Sequence, residues 1–126
     1  MSDYELIFPI TVDPNMFINR KPIAVLFGDE RVEVKTWTQV YAVILKRCNS
    51  DPKHHETLMY LRNKVLGKCR VFLSDKSDGM IRPVKIDEDM FGETHYGSAT
   101  LMHILLNRIL AYTGFDLSNI RVVIKT

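Results

Sequence analysis

The hydrophobic period of this chain changes at Thr36, inside the stretch ERVEVKTWTQVYAVILKRCN at residues 30–49. Before Thr36 apolar and charged residues alternate, which is typical of a half-buried β-strand. After it, apolar residues recur at the spacing of one helix face, at Trp37, Val40, Tyr41, Ile44, Leu45 and Cys48. Thr36 and Gln39 also have the spacing of a capping box. The sequence therefore predicts a strand that leads directly into an amphipathic helix packed on a sheet.

A β-hairpin is predicted before this junction and a second helix after it. The runs IAVLF and RVEVKT flank a turn at Gly28 and Asp29, which indicates two antiparallel strands. Asp51 as N-cap and Pro52 at the first helical position predict the start of the second helix. Its apolar line and its C-terminal stop are predicted at Leu58, Leu61, Val65 and Gly67.

The C-terminal half predicts further strands and a third helix. CRVFLS has the composition of a strand, and Pro83 favours an edge strand or a loop in the stretch that follows. Ser98 is predicted to cap the third helix, which ends before Gly114. The face of this helix is predicted to consist of Leu101, Ile104, Leu105, Ile109 and Tyr112. The last predicted strand is IRVVIK.

The predicted order is β-β-α-α-β-(β)-α-β, which is an α+β fold with a mainly antiparallel sheet and helices packed on one face. Residues 1–21 are predicted to form an N-terminal arm or edge segment, and residues 22–126 a single α+β domain. No apolar run approaches the roughly 18 residues that a membrane span needs, and the N-terminus is acidic where a secretory signal is basic. We therefore expect a cytoplasmic protein that does not act in a membrane.

Two groups of residues have partial metal-site patterns. Glu33 and Lys35 form an E-x-K pair, but Asp29 would lie about 13 Å from Glu33 along an extended strand, too far to share a metal. We interpret the pair as the outer face of the hairpin, with Lys35 available to an anionic partner. The two cysteines, Cys48 and Cys69, are predicted to be small buried hydrophobic residues, and adjacent histidines on a helix diverge by about 100°. No metal site and no cofactor are predicted.

The stretch GETHYGS places Glu93, His95 and Tyr96 just before a predicted helix N-terminus, where backbone N–H groups favour anions. These three residues are a candidate pocket. A polar strand that leads into a helix cap would produce the same residues, and both interpretations remain open. No catalytic residue is predicted, although an enzyme built around His95 and Glu93 is a further hypothesis.

Basic residues are concentrated in one part of the chain. Between positions 46 and 70 there are seven lysines and arginines against two acidic residues, whereas the whole chain has a formal net charge of only +2. Unpaired cationic faces commonly meet phosphate backbones, although a solvated helix face would have the same composition. The candidate residues for binding nucleic acid or another anion are Lys35, Arg62, Lys64, Lys68 and Arg70.

The stretches FGDERVEVKTW, RVFLS, RPVKI and GETHYGSA together resemble a small module that recurs, often at the C-terminal end, in bacterial and phage proteins of the restriction and defence type. The resemblance spans Pro22 to Lys125, and its most specific element is VKTW at residues 34–37. No activity is established for that module. The resemblance therefore implies an accessory or recognition role and no catalytic residues.

The leading hypothesis is a non-enzymatic recognition domain that binds nucleic acid or an acidic protein surface through a basic helix face. The alternative is a protein-protein interaction role, as a homodimer or as a mobile-element protein that blocks a host defence complex. The separate acidic and basic regions of the sequence would be complementary between subunits. Trp37 is predicted to be structural and mostly buried, with its ring over the hairpin.

Overall fold

The computed structural model describes residues 5–64 and 71–125, and these ranges contain two antiparallel sheets and three helices. The strands are β1 (Glu5–Pro9), β2 (Lys21–Phe27), β3 (Glu30–Glu33), β4 (Leu73–Ser74), β5 (Pro83–Asp87), β6 (Met90–Glu93) and β7 (Ile120–Lys125). The helices are α1 (Trp37–Asn49), α2 (Pro52–Leu61) and α3 (Ser98–His103). A short 3₁₀ turn, Pro14–Phe17, lies between β1 and β2.

The strands divide into a four-stranded sheet in the order β1-β7-β2-β3 and a three-stranded sheet in the order β4-β6-β5. All pairs are antiparallel, which confirms the predicted α+β class and its mainly antiparallel pairing. The expectation of a single sheet is wrong, because β5 and β6 form a hairpin that pairs with β4 instead of β7. No helix in the described ranges is long and apolar enough to cross a membrane.

Helix α1 is the central element of the core. It contacts β2 of the larger sheet, β5 of the smaller sheet and both other helices. Five of its side chains are completely buried, namely Val40, Tyr41, Ile44, Leu45 and Cys48. These residues continue the apolar period that begins at Thr36, and they confirm the predicted face of the helix. Burial raises the pKa of the Cys48 thiol to about 11, as expected for a small structural residue.

Side chains fix the starts of α1 and α2 as predicted. Thr36 Oγ1 accepts a hydrogen bond from Gln39 N at 3.1 Å, and Asp51 Oδ1 accepts one from Lys53 N at 2.9 Å. The reciprocal bond of the capping box differs by one residue, because Gln39 Oε1 accepts from the backbone of Lys35 at 2.6 Å. The positions predicted for the end of α2, Val65 and Gly67, lie outside the described residues, as does Cys69.

The third helix differs from the prediction at both ends. Ser98 is its first residue and not its cap; its Oγ donates to the carbonyl of Phe17 at 3.0 Å and links α3 to the 3₁₀ turn. After α3 the helix continues as a π-helical segment, Ile104–Ile109, and ends in a 3₁₀ turn. A π turn contains more residues than an α turn. The face therefore rotates, so that Leu110 is buried and Tyr112 is 62% exposed.

Trp37 is half-buried and lies against the N-terminal segment. Its ring centroid is 4.8 Å from that of Phe17, and its Nε1 donates to the carbonyl of Arg20 at 2.8 Å. The prediction of a structural tryptophan agrees with these contacts. Its aromatic partner comes from the 3₁₀ turn before β2, and the predicted position of the ring over the hairpin stays a prediction. An indole N–H that is partly buried needs an acceptor, and the Arg20 carbonyl supplies it.

The closest approach between α1 and the smaller sheet occurs at Gly92. A Cβ atom at this position would lie 2.2 Å from Tyr41 Oη and less than 3 Å from two carbons of the same ring. Gly92→Ala is therefore expected to lower the free energy of unfolding by about 1 to 3 kcal/mol, the usual range for overpacking a core. Urea denaturation of the variant and the parent measures this difference.

Gly97→Ala is the matched control, because no atom lies within 4 Å of the corresponding Cβ position and its φ is negative. Because Gly97 is the N-cap of α3, where alanine is less favourable than glycine, we expect the control to lose less stability than Gly92→Ala and at most about 1 kcal/mol. Equal stability of Gly92→Ala and the parent would show that α1 does not approach β6 this closely.

Candidate functional site

Helix α2 packs on the rest of the protein through one face, so a partner can reach only its other face. Leu58 and Leu61 point into the core. At its N-terminal end, His55 Nδ1 lies 2.7 Å from Asn49 Oδ1, and Asn49 Nδ2 donates to Asp87 Oδ2 at 2.9 Å. The Asn49 hydrogen bond is the largest cause that holds the pKa of Asp87 below its usual range. This polar chain links α1, α2 and the β5–β6 turn.

The C-terminal end of α2 is attached by Arg62. Its Nε donates to the carbonyl of Met59 at 3.1 Å, and its Nη1 donates to the carbonyl of Asp89 at 2.8 Å. The guanidinium therefore helps to hold the helix on the β5–β6 turn. The sequence predicts Arg62 as a binding residue. In the structure, two of its N–H donors make these structural hydrogen bonds.

The opposite side of α2 faces solvent and presents one continuous row of side chains. Lys53, Glu56, Thr57 and Tyr60 line a shallow groove of about 330 Å³ on this side. Tyr60 is 67% exposed, and Lys64 Nζ lies 4.6 Å from the centroid of its ring. The four groove residues recur at spacings of three and four, which places them on the same helix face, and Lys64 follows in the turn after α2. We call this row, Lys53 to Lys64, the α2 outer face.

Three of the five predicted basic residues lie in the described ranges, and the structure places them at different positions. Lys64 belongs to the α2 outer face, and Lys35 lies exposed on the junction between β3 and α1. Lys68 and Arg70 lie outside the described residues. Lys53, which the sequence analysis counted in the basic cluster but did not select, lines the groove.

Tyr60 was also missed by reasoning from the sequence. The sequence does contain one indication, because Tyr60 does not fall on the apolar line of α2. In the structure Leu58 and Leu61 on that line are buried, whereas Tyr60 is exposed. An aromatic residue on the polar face of a helix leaves a large apolar ring in water. Helical spacing alone therefore identifies Tyr60 as an exposed ring, whereas the contact of Lys64 with it depends on the turn after α2.

Glu93 is a completely buried carboxylate that organises the segment around it. Its Oε1 accepts from Ile81 N at 2.8 Å, and its Oε2 accepts from Arg82 N at 2.9 Å. Oε2 also accepts from the backbone N–H groups of Thr94 and His95 at 3.0 and 3.2 Å. The carboxylate therefore joins the segment before β5 to the turn after β6.

The other two residues of the predicted pocket have different surroundings. His95 is exposed, whereas Tyr96 is half-buried with its ring edge-to-face against Phe72 at 5.9 Å between centroids. Tyr41 lies close to this region, and burial raises the pKa of its phenol, with a smaller contribution from the charge of Glu93. In the described part of the chain the Tyr41 hydroxyl is buried without a hydrogen-bond partner.

The residues of the two partial metal-site patterns do not come together in the described part of the structure. Glu33 Oε1 accepts from Arg31 Nε at 2.8 Å on the exposed face of β3, and Cys48 is buried against Thr113 Oγ1 at 3.8 Å. Within residues 5–64 and 71–125, no three His, Cys, Asp or Glu side chains are grouped so that they could hold a metal ion.

No family model, curated protein or solved structure matches this chain. The similarity to a restriction and defence module therefore stays a prediction. Function must be argued from the chemistry of the α2 outer face and of the groove on it.

The structural role of Glu93 can be tested by replacing its carboxylate. In Glu93→Gln the side-chain amide would direct N–H groups at backbone N–H donors, so we expect a loss of about 3 kcal/mol in the free energy of unfolding. Thermal and urea unfolding measure the loss. Glu88→Gln, which removes an exposed carboxylate 3.6 Å from Lys85, is the control and should change stability by less than about 0.5 kcal/mol. A Glu93→Gln protein as stable as the parent would contradict the structural role.

Proposed function

We propose that this chain is a non-enzymatic recognition domain that binds nucleic acid through the α2 outer face. The observation that carries the proposal is the contact between Lys64 and the exposed ring of Tyr60, which lines a groove together with Lys53. Exposed aromatic rings combined with lysines provide stacking surfaces and phosphate contacts together. A face built only for solubility does not require the ring.

The charge around α2 supports an anionic partner. In the described part of the basic region, Lys46, Arg47, Lys53, Arg62 and Lys64 stand against Asp51 and Glu56. Arg47 is neutralised by Glu30, which accepts from both of its terminal nitrogens, and Arg62 is engaged with backbone carbonyls. Lys53 in the groove and Lys64 beside the Tyr60 ring are consequently the charges best placed for phosphate groups. An accessory role also agrees with the resemblance found in the sequence.

Binding of labelled single-stranded and duplex DNA and RNA, measured by fluorescence anisotropy, tests the proposal. We expect binding at about 50 mM salt that weakens steeply towards about 200 mM, because phosphate contacts release counterions. The double variant Lys53→Ala/Lys64→Ala should bind roughly tenfold more weakly at the lower salt concentration. Its slope of log K against log salt should be shallower by about 1.4 for a single strand, which corresponds to two lost phosphate contacts.

The control is Lys21→Ala/Arg121→Ala, which removes the same net charge from two exposed positions on the larger sheet. If both double variants lose affinity equally, binding depends on overall charge and not on the α2 outer face. If the parent binds no nucleic acid even at low salt, the proposed function is wrong.

A second candidate function is self-association through β1. This strand is the outer strand of the larger sheet, so one row of its backbone groups has no strand partner in the part of the chain that the structure describes. It also carries Ile7, which is 53% exposed. Antiparallel pairing of two copies centred on Ile7 would place this residue against its counterpart and Leu6 against Phe8. Such pairing would remove the exposed edge.

Light scattering over a range of protein concentrations tests this candidate. Self-association predicts a particle of twice the 14.6 kDa chain mass, which Ile7→Lys converts to the monomer. Ile81→Lys, at a comparably exposed isoleucine near the smaller sheet, should leave the dimer intact. A parent protein that stays monomeric at every concentration would exclude this candidate.

A further inference from the structure

The groove on the α2 outer face brings an aromatic ring, a carboxylate and a lysine around one small volume. Tyr60, Glu56 and Lys53 contribute these groups, and the volume is about 330 Å³. Lys64 lies in the turn after α2, with its Nζ 4.6 Å from the centroid of the Tyr60 ring. The ring itself lines the groove and is 67% exposed, so a flat ligand in the groove can contact it.

We propose that this groove holds one unpaired nucleobase of a single strand, stacked on Tyr60 and read by Glu56. The inference rests on the proposed function and names its substrate class. In a duplex the flat faces of the bases are covered by their neighbours, whereas a single strand can turn a base onto an aromatic side chain. Phosphates on either side of the stacked base would then meet Lys53, which lines the groove, and Lys64, which lies against the Tyr60 ring.

Glu56 makes the groove selective among bases. An ionised carboxylate only accepts hydrogen bonds, so it favours bases that present an exocyclic amino group. Cytosine, adenine and guanine carry this group, and acidic side chains accept from cytosine N4 in known readout patterns. Thymine and uracil present carbonyl oxygens on both sides of a single imino N–H, and a carboxylate repels these oxygens. The groove should therefore prefer cytosine and adenine to thymine.

The experiment compares homopolymers of deoxycytidine, deoxyadenosine and thymidine of about 12 nucleotides, a length within the site size of single-strand binders. We expect the parent to bind the cytosine and adenine strands about fivefold more tightly than the thymine strand, since one exposed hydrogen bond discriminates weakly. Tyr60→Ala should weaken binding of all three strands at least roughly fivefold, the lower end of the range for one stacked base. Tyr60→Phe should bind like the parent, because stacking needs the ring and not the hydroxyl.

Two control variants separate the roles of the ring and the carboxylate. Tyr112→Ala removes a tyrosine of nearly equal exposure from the end of the third helix and should leave affinity unchanged. Glu56→Gln should keep binding, since it removes a negative charge, but should lose the preference against thymine because an amide also donates hydrogen bonds.

The outcomes distinguish this inference from the proposed function. Binding that is unchanged in Tyr60→Ala, or equally tight to a duplex of the same length, overturns the stacked-base inference and leaves nucleic-acid binding through lysines in place. Equal affinity of the parent for cytosine and thymine strands overturns the role of Glu56. Displacement of the oligonucleotide by an acidic peptide of equal charge overturns base recognition and favours a protein partner. Absence of binding to every strand overturns both proposals.

Discussion

Burial of α1 between two sheets determines how the other elements are arranged. Five of its side chains are completely buried, and Val40, Ile44 and Leu45 among them each contribute about 1.5 to 3 kcal/mol when they leave water. Because α1 contacts both β2 and β5, the two sheets need no direct pairing to form one core. The close approach of Tyr41 to Gly92 shows how tightly the smaller sheet is applied to the helix. Glycine is the smallest residue, so no substitution at position 92 could bring the smaller sheet closer to α1.

The α2 outer face follows from this arrangement. Since α1 occupies the centre, α2 packs on it through Leu58 and Leu61 and is fixed at both ends to the β5–β6 turn, by Asp87 and by the carbonyl of Asp89. A helix attached along one side leaves its other side in solvent. The row from Lys53 to Lys64 therefore keeps a defined spacing without being part of the core, which is the condition for a preorganised binding surface.

Sequence patterns were sufficient for the elements whose stability is local. The cap at Thr36, the Asp51 and Pro52 start of α2 and the apolar stripe of α1 were predictable, because each depends on residues within a few positions of one another. The division into two sheets was not, since strand pairing between distant segments leaves no periodic signal in either strand. The π-helical segment after α3 was equally invisible, and it moved Tyr112 out of the predicted core face.

The candidate site also depends on contacts between distant segments, which the sequence does not reveal. A basic excess identified the region of α2, but the sequence could not tell that Arg62 would bond to backbone carbonyls or that Lys53 would line a groove. Glu93 looked reactive because it is ionisable and precedes a helix, whereas four backbone N–H groups converge on it from two segments. Contacts between distant segments decide which polar residues hold the fold and which remain available to a partner.

Amide chemical shifts of ¹⁵N-labelled protein, followed during titration with a single-stranded oligonucleotide, show where the partner binds. Binding on the α2 outer face gives saturable shifts concentrated between Lys53 and Lys64, with β1 and β3 unchanged. Saturable shifts confined to the larger sheet, with the amides of α2 unaffected, would place the binding surface elsewhere.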